Sequence, residues 1–156
     1  MKIRILLSRL ISTFLCAGYF PFVPGTFASL LGVLLFIPIK DNPAVYTAAA
    51  FFLVIAGFLA SSKAEESFGK KDPKYIVIDE VAGMFISLLY FPYYDFQIVL
   101  MAFILFRIFD TLKAFPAGRI QYLKGSIGIM SDDLIAGIYS NIVIQMVFRF
   151  ASFKTS

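Results

Sequence analysis

The sequence predicts an all-α, multi-pass integral membrane bundle, preceded by an N-terminal helix that lies at the interface or inserts half-way. Three observations predict it. Of the 156 residues, 60% are apolar and only 15% are charged, whereas soluble chains average about 45–50% and ~25%. The mean hydropathy is +0.84, and a domain of about 150 residues still exposes ~30% of its unfolded-state surface, so water cannot be the only solvent. Long uncharged runs alternate with short basic loops. Disorder is excluded, because it needs low hydrophobicity and high net charge. The length suits a single domain, 1–156.

Residues 2–20 place Lys2, Arg4 and Arg9 on otherwise apolar sequence. No small-x-small cleavage pattern precedes Pro21, so a retained interfacial helix is expected rather than a signal peptide. Gly18, Pro21, Pro24 and Gly25 break the uncharged run 10–39, leaving a short span, 26–39, closed by Pro38. Residues 42–62 carry no charge and give a clear span over 43–61, since about 20 residues cross ~30 Å of hydrocarbon. Residues 81–91 and 96–106 are apolar runs joined by a turn at Pro92-Tyr93-Tyr94-Asp95. Extended to 76–91 and 95–110, they become spans with Asp79, Glu80, Arg107 and Asp110 at their ends. The last span, 133–150, opens at Asp132-Asp133 after a glycine-containing loop from Lys124.

Lysine and arginine in the loops set orientation. Lys2, Arg4 and Arg9, then Lys63, Lys70, Lys71 and Lys74, then Lys113, Arg119 and Lys124 fall on one side, against Lys40 alone on the other. The basic side is therefore cytoplasmic, and the C-terminus with Lys154 falls outside. Asp79, Glu80, Arg107, Asp110, Asp132 and Asp133 then share one depth at the cytoplasmic side, where ionisable groups beside spans are costly and usually functional.

The residue types limit the chemistry. There is no histidine and a single cysteine, so histidine catalysis, disulfides and cysteine-rich zinc sites are excluded. Cys16 reads as a small buried hydrophobe, and Phe22 occupies the place where a Cys-x5-Arg phosphatase loop needs arginine. The net charge of +4 is explained by loop lysines facing anionic headgroups rather than by nucleic acid. Asp79, Glu80, Asp110, Asp132 and Asp133 would repel one another unless a cation sits among them, and all-oxygen ligands suit a hard ion, Mg2+ before Ca2+. Helix capping is the simpler reading for Asp79, Asp132 and Asp133 one at a time. It does not explain paired acids at two helix starts.

Arg107, Asp110 and Lys113 recur at three-residue steps and share one face if the helix continues through them, with Arg107 and Lys113 suited to phosphate oxygens. The plainer alternative is that Arg107 snorkels and pairs with Asp110. Pro24-Gly25-Thr26 leads into a helix whose backbone N–H groups, with the Thr26 and Ser29 hydroxyls, can hold a phosphate or simply cap. Gly137 and Ser140 in the last span read as helix packing.

Together these motifs resemble the phosphatidylglycerophosphatase A family. Pro24-Gly25-Thr26, Asp79-Glu80 with Gly83, Phe106-Arg107 with Asp110 and Lys113, and the run from Gly128 to Gly137 carry the resemblance, in order and spacing, over roughly 18–141. The chain departs from the pattern in lacking an acid between Pro116 and Gly125 and in having Ala114 after Lys113. The resemblance implies a Mg2+-dependent inner-membrane enzyme of bacterial phospholipid synthesis. Its substrate would be phosphatidylglycerophosphate, cleaved to phosphatidylglycerol and inorganic phosphate.

On this reading Asp79, Glu80, Asp132 and Asp133 hold Mg2+, and Thr26, Arg107 and Lys113 take the substrate phosphate. Asp110 positions a water or attacks as a nucleophile. A CDP-alcohol phosphotransferase would need an Asp-Gly pair, and none exists. A small cation transporter would carry its acids near the bilayer midplane rather than at span ends. The sequence leaves oligomeric state open.

Overall fold

The structure is a computed structural model that describes residues 2–91 and 93–153, and it is helical without strands among them. The helices are α1 (Lys2–Ser12), α2 (Pro24–Phe36), α3 (Pro43–Phe68), α4 (Ile78–Ser87), α5 (Phe96–Leu112), α6 (Ala117–Ile120) and α7 (Ser126–Phe153). Short 3-10 turns at Ala17–Tyr19 and Ile37–Ile39 flank α2. Proline at the first turn of α2 and of α3 fits positions whose N–H has no helical partner. The Asn42 side chain caps α3, the Asp95 side chain caps α5, and Gly69 ends α3 in the left-handed conformation. The expected turn includes Pro92, and the expected external C-terminus includes Lys154. Both residues lie outside the described residues.

α4 is the centre of the bundle, packed by α2, α3, α5 and α7. Ile78, Val81, Ala82, Met84 and Phe85 are at most 2% exposed, so α4 touches protein on almost every side. Ten residues rise about 15 Å, so the segment 76–91 holds a helix about half as long as the ~30 Å hydrocarbon layer. Its C-terminal end therefore lies inside the protein, where orphan carbonyls need partners. The Tyr46 hydroxyl donates to Phe85, Tyr94 donates to Leu88, and the Asn141 amide donates to both Ser87 and Leu89. Three side chains from α3, α7 and the α4–α5 connection thus finish the short helix.

Two helices, Pro43–Phe68 and Ser126–Arg149, are long and apolar enough to cross a membrane, and α2 with its 3-10 extension forms a shorter apolar helix. The outward faces of these and of α5 stay apolar, with Phe51, Phe52 and Leu59 on α3, Leu34 on α2 and Leu100 and Ile104 on α5 all exposed. α1 shows the same inversion. It buries Ser8 and Ser12 against the bundle and exposes Ile3, Leu6 and Leu7, as a helix between protein and lipid should. Cys16 is exposed rather than buried as expected, because Phe14, Leu15 and Cys16 form a left-handed turn that carries it away from the core.

Candidate active site

The site is built where α4 begins. Asp79 and Glu80 lie in its first turn, and neither is a cap, since the N-cap residue is Val77. α7 crosses α4 at close range through Gly83 and Gly137. A Cβ on Gly137 would come within 2.4 Å of the Gly83 carbonyl oxygen, and one on Gly83 within 2.7 Å of the Asp133 carbonyl oxygen. That approach delivers Asp133 to the start of α4. Carboxylate oxygens of Asp79, Glu80 and Asp133 lie within 4.8 Å of one another.

Asp132 and Asp133 do not open α7, contrary to the sequence expectation. The helix begins six residues earlier at Ser126, after Gly125 takes a left-handed conformation at φ +70°. The Gly125 N–H donates to Glu65, and the Ser126 hydroxyl accepts from the Ser62 N–H. What read as a glycine loop is therefore the first turns of a helix anchored to α3. Both acids sit inside the helix, where capping cannot explain them.

The remaining polar groups form a chain beside the trio. Arg107 Nη1 meets Asp110 at 2.9 Å and donates to the Ser29 hydroxyl at 3.3 Å. Lys113, in a left-handed C-cap at φ 48°, lies 3.7 Å from the other Asp110 oxygen and donates to Asp132. Burial pulls the Lys113 ammonium down. The Asp132 carboxylate bonded to it, with Asp133 and Asp110, more than offsets this, so its pKa is raised and it stays charged. Arg107 and Asp110 share a face of α5 as expected, whereas the helix stops at Leu112 and Lys113 reaches Asp110 from the left-handed cap rather than from a continued helix. Asp132 stands outside the Asp79–Glu80–Asp133 trio, held by Lys113 instead.

The Pro24-Gly25-Thr26 turn is part of this site through its glycine. A Cβ on Gly25 would sit 2.2 Å from Glu80 Oε1 and 3.5 Å from Arg107 Nη1. The α2 backbone closes over the Glu80 carboxylate at this glycine, and a Cβ there would displace that carboxylate. Thr26 is half-buried, faces a groove it shares with Arg107, and makes no hydrogen bond to the acids among the described residues. Ser29, read in the sequence only as a helix-start hydroxyl, braces Arg107. Its signal was the i, i+4 pairing with Gly25, whose carbonyl it bonds.

The donor set fits a hard divalent cation. Asp79 Oδ1, Glu80 Oε2 and Asp132 Oδ1 are buried without a hydrogen-bond partner. A buried carboxylate oxygen left bare is costly, and two inside the trio, at Asp79 and Glu80, point to a ligand that binds oxygen. Histidine is absent and Cys16 is far along the chain in an exposed turn, so the ligands are oxygens only.

Residues 10–148 match the family described as phosphatidylglycerophosphatase A. The chain belongs to the phosphatidylglycerophosphatase A family. It is a lipid phosphatase, as the residues and the family agree. A Haemophilus influenzae protein named phosphatidylglycerophosphatase A is 39% identical over 127 residues, covering 78% of this chain and 76% of that one. An Escherichia coli protein of the same name is 31% identical over 137 residues, covering 84% and 77%. A Bacteroides thetaiotaomicron protein that carries a phosphatidylinositol-3-phosphatase name is 38% identical over 154 residues, covering 94% and 96%. No solved structure matches the chain.

Proposed function

We propose that this phosphatidylglycerophosphatase A family member removes the terminal phosphate of phosphatidylglycerophosphate with Mg2+, from the cytoplasmic side of a bacterial inner membrane that it crosses several times. The observation that carries the metal is the Asp79–Glu80–Asp133 trio, whose carboxylate oxygens converge within 4.8 Å and in which Asp79 and Glu80 each hold a buried oxygen without a hydrogen-bond partner. Asp79, Glu80 and Asp133 would hold Mg2+, with Asp132 adjoining. The ion would supply charge neutralisation at the phosphate and acidify a bound water.

The protein's own groups do the rest. Arg107 and Lys113 place positive charge where the equatorial phosphate oxygens gather negative charge. Water adds to phosphorus, the P–O bond to the glycerol oxygen breaks, and that oxygen takes a proton as the alcohol leaves. Both oxygens of Asp110 already face a cation, Arg107 on one and Lys113 on the other. That engagement weakens Asp110 as a nucleophile and favours a role in orienting the two basic groups. The cytoplasmic assignment is supported by Lys70, Lys71 and Lys74 between α3 and α4 and by Arg119 and Lys124 between α5 and α7, at the site's end of the bundle.

A second substrate deserves a place in the test. The Bacteroides relative matches nearly the whole chain and is named for a phosphoinositide. Purified protein should be offered phosphatidylglycerophosphate and phosphatidylinositol phosphates, with Mg2+ and with chelator, and released phosphate measured. Release from phosphatidylglycerophosphate, abolished by chelator, is the expected result. Release from the inositol lipid alone would transfer the assignment to the second substrate. Undiminished release after exhaustive chelation would remove the metal.

A further inference from the structure

Three apolar grooves open on the sides of the bundle among the described residues. One lies between α3 and α7, lined by Phe51, Val54, Leu134 and Ile138 among others, and one between α1 and α3, lined by Leu10, Phe52 and Ile78. Neither has a charged lining residue. The third, between α2 and α5, differs. It is lined by Thr26, Phe103, Ile104, Arg107, Ile108, Thr111 and Leu112. Toward the C-terminal end of α5 it carries the Arg107 guanidinium and the Thr26 and Thr111 hydroxyls beside Ile108 and Leu112, and toward Phe103 and Ile104 it is hydrocarbon.

The polar end is the site itself. Arg107 reaches Asp110 and Ser29 through Nη1, while Nε and Nη2 make no hydrogen bond among the described residues. Its side chain is 24% exposed, so unspent donors face the groove. The apolar end continues along the bundle. Ile104 and Leu100 recur at four-residue steps before Ile108, and are 47% and 43% exposed. On α2, Leu30 and Leu34 follow Thr26 at the same step, 46% and 54% exposed. Leu100 to Arg107 is a rise of about 10 Å along α5, which matches the upper half of an acyl chain.

We infer that the α2–α5 groove seats the substrate lipid, with an acyl chain along Phe103, Ile104 and Leu100 and the phosphorylated headgroup turned in at Arg107 and Thr26. The inference rests on the lipid phosphatase reading and adds where the lipid lies. Charge complementarity selects the occupant. An anionic headgroup on a hydrocarbon chain matches a groove with one cationic end, whereas a neutral lipid would gain nothing at Arg107 over the two uncharged grooves.

The chain has no tryptophan, so a single introduced indole reports on one groove. Leu100→Trp marks the α2–α5 groove and Ile138→Trp marks the α3–α7 groove. Each variant, in bromine-free detergent with Mg2+ present, is titrated with an uncleavable phosphonate analogue of phosphatidylglycerophosphate carrying brominated acyl chains, and phosphate release from the natural lipid is followed in a separate sample. The expected result is saturable quenching several-fold stronger in the Leu100→Trp variant. It should fall to the Ile138→Trp level when the headgroup lacks its terminal phosphate, or when Arg107→Gln is added. Equal quenching in the two reporters, or quenching indifferent to Arg107→Gln, overturns the groove assignment. Because the readout is binding, it stands apart from the activity: a wild-type protein that releases no phosphate from any lipid would instead overturn the phosphatase reading.

Discussion

Gly83→Ala tests whether the close crossing of α4 and α7 assembles the site. A Cβ at Gly83 would lie 2.5 Å from the Phe106 ring and 2.7 Å from the Asp133 carbonyl oxygen, where ordinary contact begins at 3.4 Å. Phe106 is fully buried and the carbonyl is helix backbone, so neither gives way easily. Relief requires α7 to withdraw by about 0.7 Å, the gap between 2.7 and 3.4 Å. Overpacking of this kind costs about 1–3 kcal/mol. The moved residue is Asp133, and a misplacement of ~1 Å can cost ~100-fold in rate, so a loss of about tenfold or more is expected. Gly57→Ala is the comparison: its Cβ would meet Met130 Cε at 2.4 Å and Sδ at 2.5 Å and Ile78 at 3.5 Å, with no backbone atom among them, so repacking falls chiefly on a flexible thioether rather than on the position of α7. Phosphate release and thermal unfolding by circular dichroism, both in detergent, supply the readouts. A Gly83→Ala protein with wild-type rate and stability, or a Gly57→Ala protein equally damaged, would refute the reasoning.

Asp133→Asn keeps the side-chain shape inside α7 and removes a charge, so the variant should fold normally, be nearly inactive, and regain only part of its rate at raised Mg2+. A normal rate would mean that Asp133 is no ligand. Arg107→Lys keeps the charge and loses the planar fork, and kcat should fall about tenfold, or ~1.4 kcal/mol, with unfolding temperature unchanged. Asn141→Leu strips partners from the Ser87 and Leu89 carbonyls, and at about 1–3 kcal/mol per orphaned buried acceptor the thermal unfolding midpoint should drop by several degrees. Topology is checked by cysteine labelling in intact cells, on a Cys16→Ser background because Cys16 is exposed. A cysteine replacing Tyr94 should label from outside and one replacing Lys70 should not.

Hydropathy and periodicity made the helical class legible, because outward-facing and core-facing positions on α2, α3 and α7 are both largely apolar and leave unbroken runs. The Arg107–Asp110 pair was legible for a local reason, since a three-residue step fixes a shared side of α5, whereas Lys113 joins it from a left-handed cap that the spacing did not foretell. The start of α7 was not. Gly125, Gly128 and the residues between them look like a loop, and only the contacts to Ser62 and Glu65 show that they begin a helix. The short α4 was hidden for a similar reason: the donors that allow it to stop at Ser87 come from Tyr46, Tyr94 and Asn141, up to 54 positions away in the chain. Gly25 illustrates the limit of motif reading. Its turn read as either a phosphate cradle or a plain cap, and neither reading foretold that its backbone closes over Glu80.

Electrostatics sets the order in which such a site can fill. Five carboxylates, Asp79, Glu80, Asp110, Asp132 and Asp133, surround two cations, Arg107 and Lys113. If all are ionised, three negative charges remain, and a phosphate monoester with up to two of its own would be repelled. Within a bundle of this hydropathy, screening is weak and repulsion between like charges a few Å apart amounts to several kcal/mol even at an effective dielectric of ~20. One divalent ion would cut the excess to a single negative charge, and a second would reverse it. Phosphate binding should therefore depend on the cation as well as turnover. In equilibrium binding with an uncleavable phosphonate analogue of the lipid, affinity should rise steeply with Mg2+. Affinity independent of Mg2+ would mean that protons on the carboxyls, rather than a metal, neutralise the cluster, and the case for a metal ligand set at Asp79, Glu80 and Asp133 would fall with it.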